Sequence, residues 1–229
     1  MRACALLFGA LIAAPGPLFA SAITYNVTVD TSSLNGSVGA LDFQFNPGAL
    51  TTQAADLQIL QFTSDGSLLG LAFPQTGDVS GTLPGTLSFG NGAGFNDYFD
   101  AFQFGQSITF RVSLDGPALV SPDGSALSGS AFGFGLFSDP AGTVLALTSD
   151  PSGFAFMIDV NLDGTTTLSN FSAHTTVAPQ VVVSPGPEPS PVPEPSSLWL
   201  FGLGGASLLV AARRRACWSP IAPVASLCR

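Results

Sequence analysis

Ser107-Ile108-Thr109-Phe110-Arg111-Val112-Ser113-Leu114 alternates without a break, with Ile108, Phe110, Val112 and Leu114 on one side and Ser107, Thr109, Arg111 and Ser113 on the other. Successive strand side chains point to opposite faces, so this run is a strand with one face in a core and one in water. Arg111 is thereby placed on the solvent side. The pattern recurs through the chain. Ile23, Tyr25, Val27 and Val29 alternate with Thr24, Asn26 and Thr28, and Leu41, Phe43 and Phe45 alternate with Asp42, Gln44 and Asn46 before the turn residues Asn46-Pro47-Gly48. Residues 57–63 start in the same way, but Leu60 and Phe62 are out of phase with Leu57 and Ile59, which predicts a bulge.

Asp65-Gly66 turns the chain into a strand at 67–73. Residues 79–89 hold at most one or two short strands amid Gly, Ser, Thr and Asn. The Gly90 to Asp100 stretch, with Asp97, Tyr98 and Asp100, reads as a long irregular connection or a binding loop. Turns follow at Asp115-Gly116 and Pro122-Asp123-Gly124. Phe132, Phe134 and Leu136 then alternate with Gly133 and Gly135, glycines that imply close backbone approach or curvature. A short strand is predicted at 143–148 and a longer one at 154–162 with Phe154, Phe156, Ile158, Val160 and Leu162 on one face. Asp163-Gly164 closes a hairpin into 165–172. Strand-length segments every ten or so residues, no amphipathic helix and phenylalanines at period two predict an all-β domain over 23–178, an antiparallel β-sandwich or jelly roll.

The two ends read differently. Met1-Arg2, an apolar core at 3–14, the breaker Pro15-Gly16-Pro17 and the small-residue site Ala20-Ser21-Ala22 describe a signal peptide over 1–22, with Ile23 as the first mature residue. Cys4 precedes the apolar core and so cannot be the lipidated cysteine of a lipoprotein. At the other end, prolines recur at every second position from Pro185 to Pro195, which makes 179–195 an extended linker. An uncharged apolar run over 196–212 follows, rich in Leu and Gly, and then Arg213-Arg214-Arg215. A bilayer span takes about 17–25 residues, so this run is a short transmembrane helix. The arginines hold its C-terminal end in the cytoplasm, and everything before Pro195 then lies outside.

Val192-Pro193-Glu194-Pro195, the glycine-rich apolar run and Arg213 to Arg215 closely resemble the PEP-CTERM sorting signal of exported bacterial proteins. The resemblance implies recognition by a membrane-embedded cysteine protease-transpeptidase, an exosortase, which would process the chain near Pro193-Glu194-Pro195. The catalytic residues belong to that partner. Signals of this family normally stop soon after the basic cluster, whereas here residues 216–229 continue, as a short cytoplasmic tail or an altered reading-frame end. The alternative to the resemblance is an ordinary single-span anchor on a proline-rich stalk.

Charge and cysteine usage narrow the function. The chain has no lysine, and its fifteen acids all lie in the part expected outside, where Arg111 is the only arginine. DNA, RNA and anionic lipid need clustered Lys and Arg, so they are excluded as partners of the domain, while divalent cations are compatible. The three cysteines, Cys4, Cys217 and Cys228, all fall outside 23–178. No disulfide, thiolate nucleophile or cysteine metal site is available to the domain, and its stability has to come from a packed core.

Candidate chemistry is sparse. Asp159-x-Asn161-x-Asp163-Gly164 has the first half of a calcium loop, with oxygen ligands at alternate positions and a glycine for the turn. It lacks the closing Glu, since Asn170 stands at position twelve, and a water-facing hairpin explains the same letters. His174 is the sole histidine and no G-x-S-x-G elbow accompanies it. A single histidine without cysteine cannot make a zinc site. A glycosidase needs only two carboxyls, but nothing in the sequence selects a pair among thirteen aspartates. The domain has no Trp to serve as a sugar platform. The expectation is a non-enzymatic exported protein without a resident cofactor, calcium apart. It is expected in the inner membrane with its β domain outside, and then at the cell surface or in an extracellular, exopolysaccharide-containing matrix such as that of a biofilm. A calcium-dependent or glycan-binding adhesin on the same anchor is the alternative.

Overall fold

A computed structural model describes residues 22–180. In chain order the strands are β1 (Ile23–Asp30), β2 (Val38–Pro47), β3 (Asp56–Ser64), β4 (Ser67–Leu71), β5 (Val79–Gly81), β6 (Leu87–Gly90), β7 (Asp97–Gln103), β8 (Ser107–Asp115), β9 (Ser130–Phe137), β10 (Phe154–Val160), β11 (Thr166–Asn170) and β12 (Thr175–Gln180). The helical elements among the described residues are a 3-10 turn at Ser32–Leu34 and a single α turn, α1, at Pro117–Val120. The strands form two six-stranded sheets, ordered β12-β1-β8-β3-β6-β5 and β11-β10-β9-β2-β7-β4. Every pairing is antiparallel, and β1 pairs with β8, β2 with β7 and β3 with β6. Nested pairs of this kind, split between two sheets, are the connectivity of a jelly roll.

The inner faces meet in one core. Phe43 and Phe134 of the second sheet pack with Phe110 of the first at centroid distances of 5.5 Å (Phe43–Phe110) and 5.0 Å (Phe110–Phe134), and Phe43 and Phe134 are 4.9 Å apart. Phe156 joins the group 5.7 Å from Phe134. The alternating run 107–114 lies in β8: Ile108, Phe110, Val112 and Leu114 are buried, while Arg111 is half-buried on the outer side. The predicted bulge sits in β3, where the register with β8 shifts between Leu60 and Thr63 and Gln61 takes φ +53°. It puts Phe62 back into the core behind Leu57 and Ile59.

Four expectations need correction. Residues 90–100 are not one irregular connection, because Asp97 onward is β7, which lies between β2 and β4. The strand hides from a period-two reading because both faces are covered: Tyr98 and Phe102 enter the core, while Phe99 packs outward against Phe137 (5.6 Å) and Phe73 (5.4 Å). Residues 143–148 form no strand and touch the sheet through a bridge between Phe137 and Leu145. Phe154 and Leu162 are not on the core face of β10, since a bulge between Phe154 and Phe156 turns the first outward and the strand ends at Val160, which leaves Leu162 exposed. The sheet also runs through Pro179 and Gln180, the first two residues of the expected linker, as the edge strand β12, where a proline costs no ladder bond on the open side. β1 begins at Ile23, the residue expected to start the mature chain. The signal core with Ala20, the remaining linker with Val192 to Pro195, the apolar run 196–212, Arg213 to Arg215 and the tail lie outside the described residues.

Candidate functional site

The outer face of the second sheet has a trough because its central strand carries almost no side chain there. Ala131 and Gly133 of β9 make the floor, Gln44 and Asn46 of β2 one wall, and Met157 and Asp159 of β10 the other, enclosing about 530 Å³. Registers explain the grouping: Gln44 faces Gly133, which faces Met157, and Asn46 faces Ala131, which faces Asp159. The outward-turned Phe154 lays its ring on Gly133, where a Cβ would come within 2.5 Å of it. That close approach accounts for the glycine. Burial on this wall pushes the Asp159 carboxyl above its ordinary range.

A chain of polar side chains runs down β2 from the trough. The Asn96 backbone N–H donates to Asn46 Oδ1 (2.7 Å), Asn46 Nδ2 donates to Gln44 Oε1 (3.2 Å), and Gln44 Nε2 donates to Asp42 Oδ2 (2.8 Å). Asp42 is 6 % exposed and lies within hydrogen-bonding reach of Asp97 on β7. Burial foremost, and then the facing Asp97, pushes the Asp42 carboxyl up to about 8, while burial raises Asp97 as well. Asp42 Oδ1 and Asp97 Oδ1 have no hydrogen-bond partner. Two carboxyls this close cannot both stay charged without a counter-ion.

On the inner side of β7, the Tyr98 hydroxyl donates to Asp100 Oδ2 (3.0 Å) and accepts from the Leu83 N–H (3.1 Å). Desolvation pushes the Tyr98 hydroxyl up to about 12 and raises Asp100. Two asparagines in the 90–100 stretch serve as clamps. Asn91 accepts from the Ala55 N–H and donates to Ser130 Oγ and the Gln53 carbonyl. Asn96, fully buried, donates to the Phe45 and Ala93 carbonyls and accepts from the Asp78 N–H. Asn96→Ala is expected to cost about 2–3 kcal/mol by stranding these buried groups, read as a lower urea midpoint at unchanged slope.

Of the residues singled out as a calcium set, Asp159 and Asn161 both line the trough. Asp159 is on the trough wall, Asn161 Nδ2 donates to Thr165 Oγ1 and Thr167 Oγ1, and Asp163 Oδ1 accepts from the Thr165 N–H and hydroxyl. These hydrogen bonds hold Asp163 below its usual range and tie the β10–β11 turn. His174 is exposed, with its backbone carbonyl taking the Asp30 N–H. Among the described residues no three His, Cys, Asp or Glu side chains converge on one point. Sequence reasoning missed Asp42, which sits in an alternating strand as a solvent-side residue. The available signal was the choice of Asp97, Phe99 and Ala101 on one face of the neighbouring strand, a mixture that fits a covered surface better than an open one.

The described residues define an antiparallel β-sandwich with a polar outer trough. The address attached to it is more specific. Residues 191–215 match the PEP-CTERM protein-sorting motif, so the chain is a protein that carries a PEP-CTERM sorting domain. The motif makes it a substrate of an exosortase-type sorting system, exported and anchored at the membrane. No curated protein and no solved structure matches the chain.

Proposed function

We propose that this is a non-enzymatic surface or extracellular-matrix protein, held in the inner membrane by residues 196–212 and then released to the cell surface through processing near Pro193-Glu194-Pro195. The observation that carries the reading is the sorting motif at 191–215, which follows in sequence a β domain whose last described strand is β12 (Thr175–Gln180). The intervening prolines have no free backbone N–H and favour extended chain, which suits a segment a membrane-embedded protease must grip. The helix sets its depth, and Arg213 to Arg215 stop translocation. The domain itself would contribute surface: its outer trough, with the amides of Gln44 and Asn46 beside the Phe154 ring, favours contact with exopolysaccharide as a second reading. Ring and amides together are the chemistry of sugar binding, on which an adhesin would draw.

Glu194→Ala tests the address. The expected result is accumulation of a membrane-retained precursor at the expense of the processed form, seen as a size difference on fractionation of cells. Identical processing of variant and parent counts against recognition at this element. Retention of the processed parent on the producer's own polysaccharide, lost on adding free oligosaccharide, would favour the adhesin over a purely structural role.

A further inference from the structure

The Asp42–Asp97 pair is expensive as it stands. Burying a carboxylate without a partner costs far more than burying an amide, and folded proteins avoid it by pairing, metal coordination or protonation. Apart from a proton shared between the two carboxyls, no basic side chain among the described residues is placed to pair with them. The chain has no lysine, Arg111 lies on β8 of the opposite sheet, and exposed His174 precedes β12 on that same sheet. Meanwhile the second oxygen of Asp42 is held by Gln44, and Oδ1 of both aspartates is buried with no donor other than a proton shared between the two carboxyls.

We propose that the facing carboxylates of Asp42 and Asp97, on the outer side of β2 and β7, form a divalent-cation site, with calcium as the preferred ion. Hard cations take oxygen ligands, and a site with one or two carboxylates completes its shell with water or amide oxygen. Gln44, whose amide holds Asp42 Oδ2, also lines the open trough, and an ion would reach the pair past its side chain. A two-carboxylate site of this kind belongs with extracellular modules, whose dissociation constants are on the order of 10⁻⁴–10⁻³ M. The site is separate from the Asp159-Asn161-Asp163 hairpin, whose Asn161 and Asp163 side chains are engaged by the turn. It does not rest on the sorting reading, although export would bring the domain to calcium at a matching concentration.

The test is calorimetry and thermal melting of the full chain in mild detergent at pH 8, stripped with chelator and titrated with calcium chloride. The expected result is saturable binding of one ion at this pair and a rise in melting temperature of a few degrees near tenfold excess over the dissociation constant. Asp42→Asn keeps the volume and the Gln44 contact but removes the charge, and should weaken binding at least tenfold. Asp97→Asn, at the less buried partner, should do the same and serves if Asp42→Asn does not fold. Asp163→Asn should bind as the parent does. Absence of both heat and melting shift overturns the proposal, as does full binding by folded Asp42→Asn and Asp97→Asn. Loss of binding in Asp163→Asn alone moves the ion to the hairpin and overturns it equally.

Discussion

Replacing Phe134 by alanine is expected to lower the stability of the β domain by about 3–5 kcal/mol, which is a large part of the roughly 5–15 kcal/mol that holds an ordinary domain folded. Phe134 is fully buried at the centre of β9, and its ring touches Phe43 and Phe156 within its own sheet and Phe110 across the sandwich. Removing it leaves a cavity that neighbours on two rigid sheets cannot fill, so the loss exceeds the transfer energy of the ring alone. The domain has no disulfide to limit its unfolded state, and core packing therefore carries the stability. Urea denaturation followed by far-ultraviolet circular dichroism measures the change. Phe95→Ala is the control: that ring is 48 % exposed, and its loss should move stability by no more than about 0.5 kcal/mol. Equal effects at the two positions would mean that the sheets do not pack as described.

The architecture was legible wherever one face of a strand meets water. In β1 and β8 polar and apolar residues alternate, and the sequence placed both the strands and their buried sides. The bulge in β3 was equally readable, because Leu57, Ile59 and Phe62 demand a phase shift to share one core. Reading broke down where a second layer covers the sheet. β7 carries Phe99 outward into a small cluster with Ala40, Phe137 and Ala72, so its apolar residues lose their period and it passed for a loop. The same covering hid Asp42. On an open face its carboxyl would be an ordinary solvated group, and only the register that sets Gln44 against Asp97 and Asp42 against Phe99 shows it to be enclosed. Phe154 shows a third limit: a bulge at the start of β10 reverses one side chain and so builds the edge of the trough from a residue whose spacing assigns it to the core. The sorting address, by contrast, is a linear signal read by another protein, so order and spacing suffice to recognise it.

With chelator present, the domain should lose stability as pH rises from about 5 to 8. Asp42 has its carboxyl raised from 3.8 to about 8 in the folded protein, so between these values the folded state holds a proton that the unfolded chain has released. Its contribution is therefore fully present below 3.8 and is lost as pH climbs through about 8, at a limiting slope of about 1.4 kcal/mol per pH unit for one proton. Asp97, Asp100 and Asp159 are also raised by burial and tilt the profile in the same direction. The exposed carboxyls of Asp30, Asp65, Asp123, Asp139 and Asp163 act the other way, because hydrogen bonds hold them below 3.8, but their influence is confined to more acid solution. Urea midpoints at pH 5, 6, 7 and 8 separate these contributions when parent and Asp42→Asn are compared, since the amide cannot titrate. The difference between the two profiles should shrink or reverse toward pH 8, where the parent has to accommodate charge on a buried pair and the variant does not. Parallel profiles across the range would mean that Asp42 and Asp97 do not share an enclosed site, and would remove the electrostatic reason for a cation there. A parent profile that is steep in chelator and flattened by calcium, with a variant indifferent to both, would tie proton and metal to the same pair of oxygens.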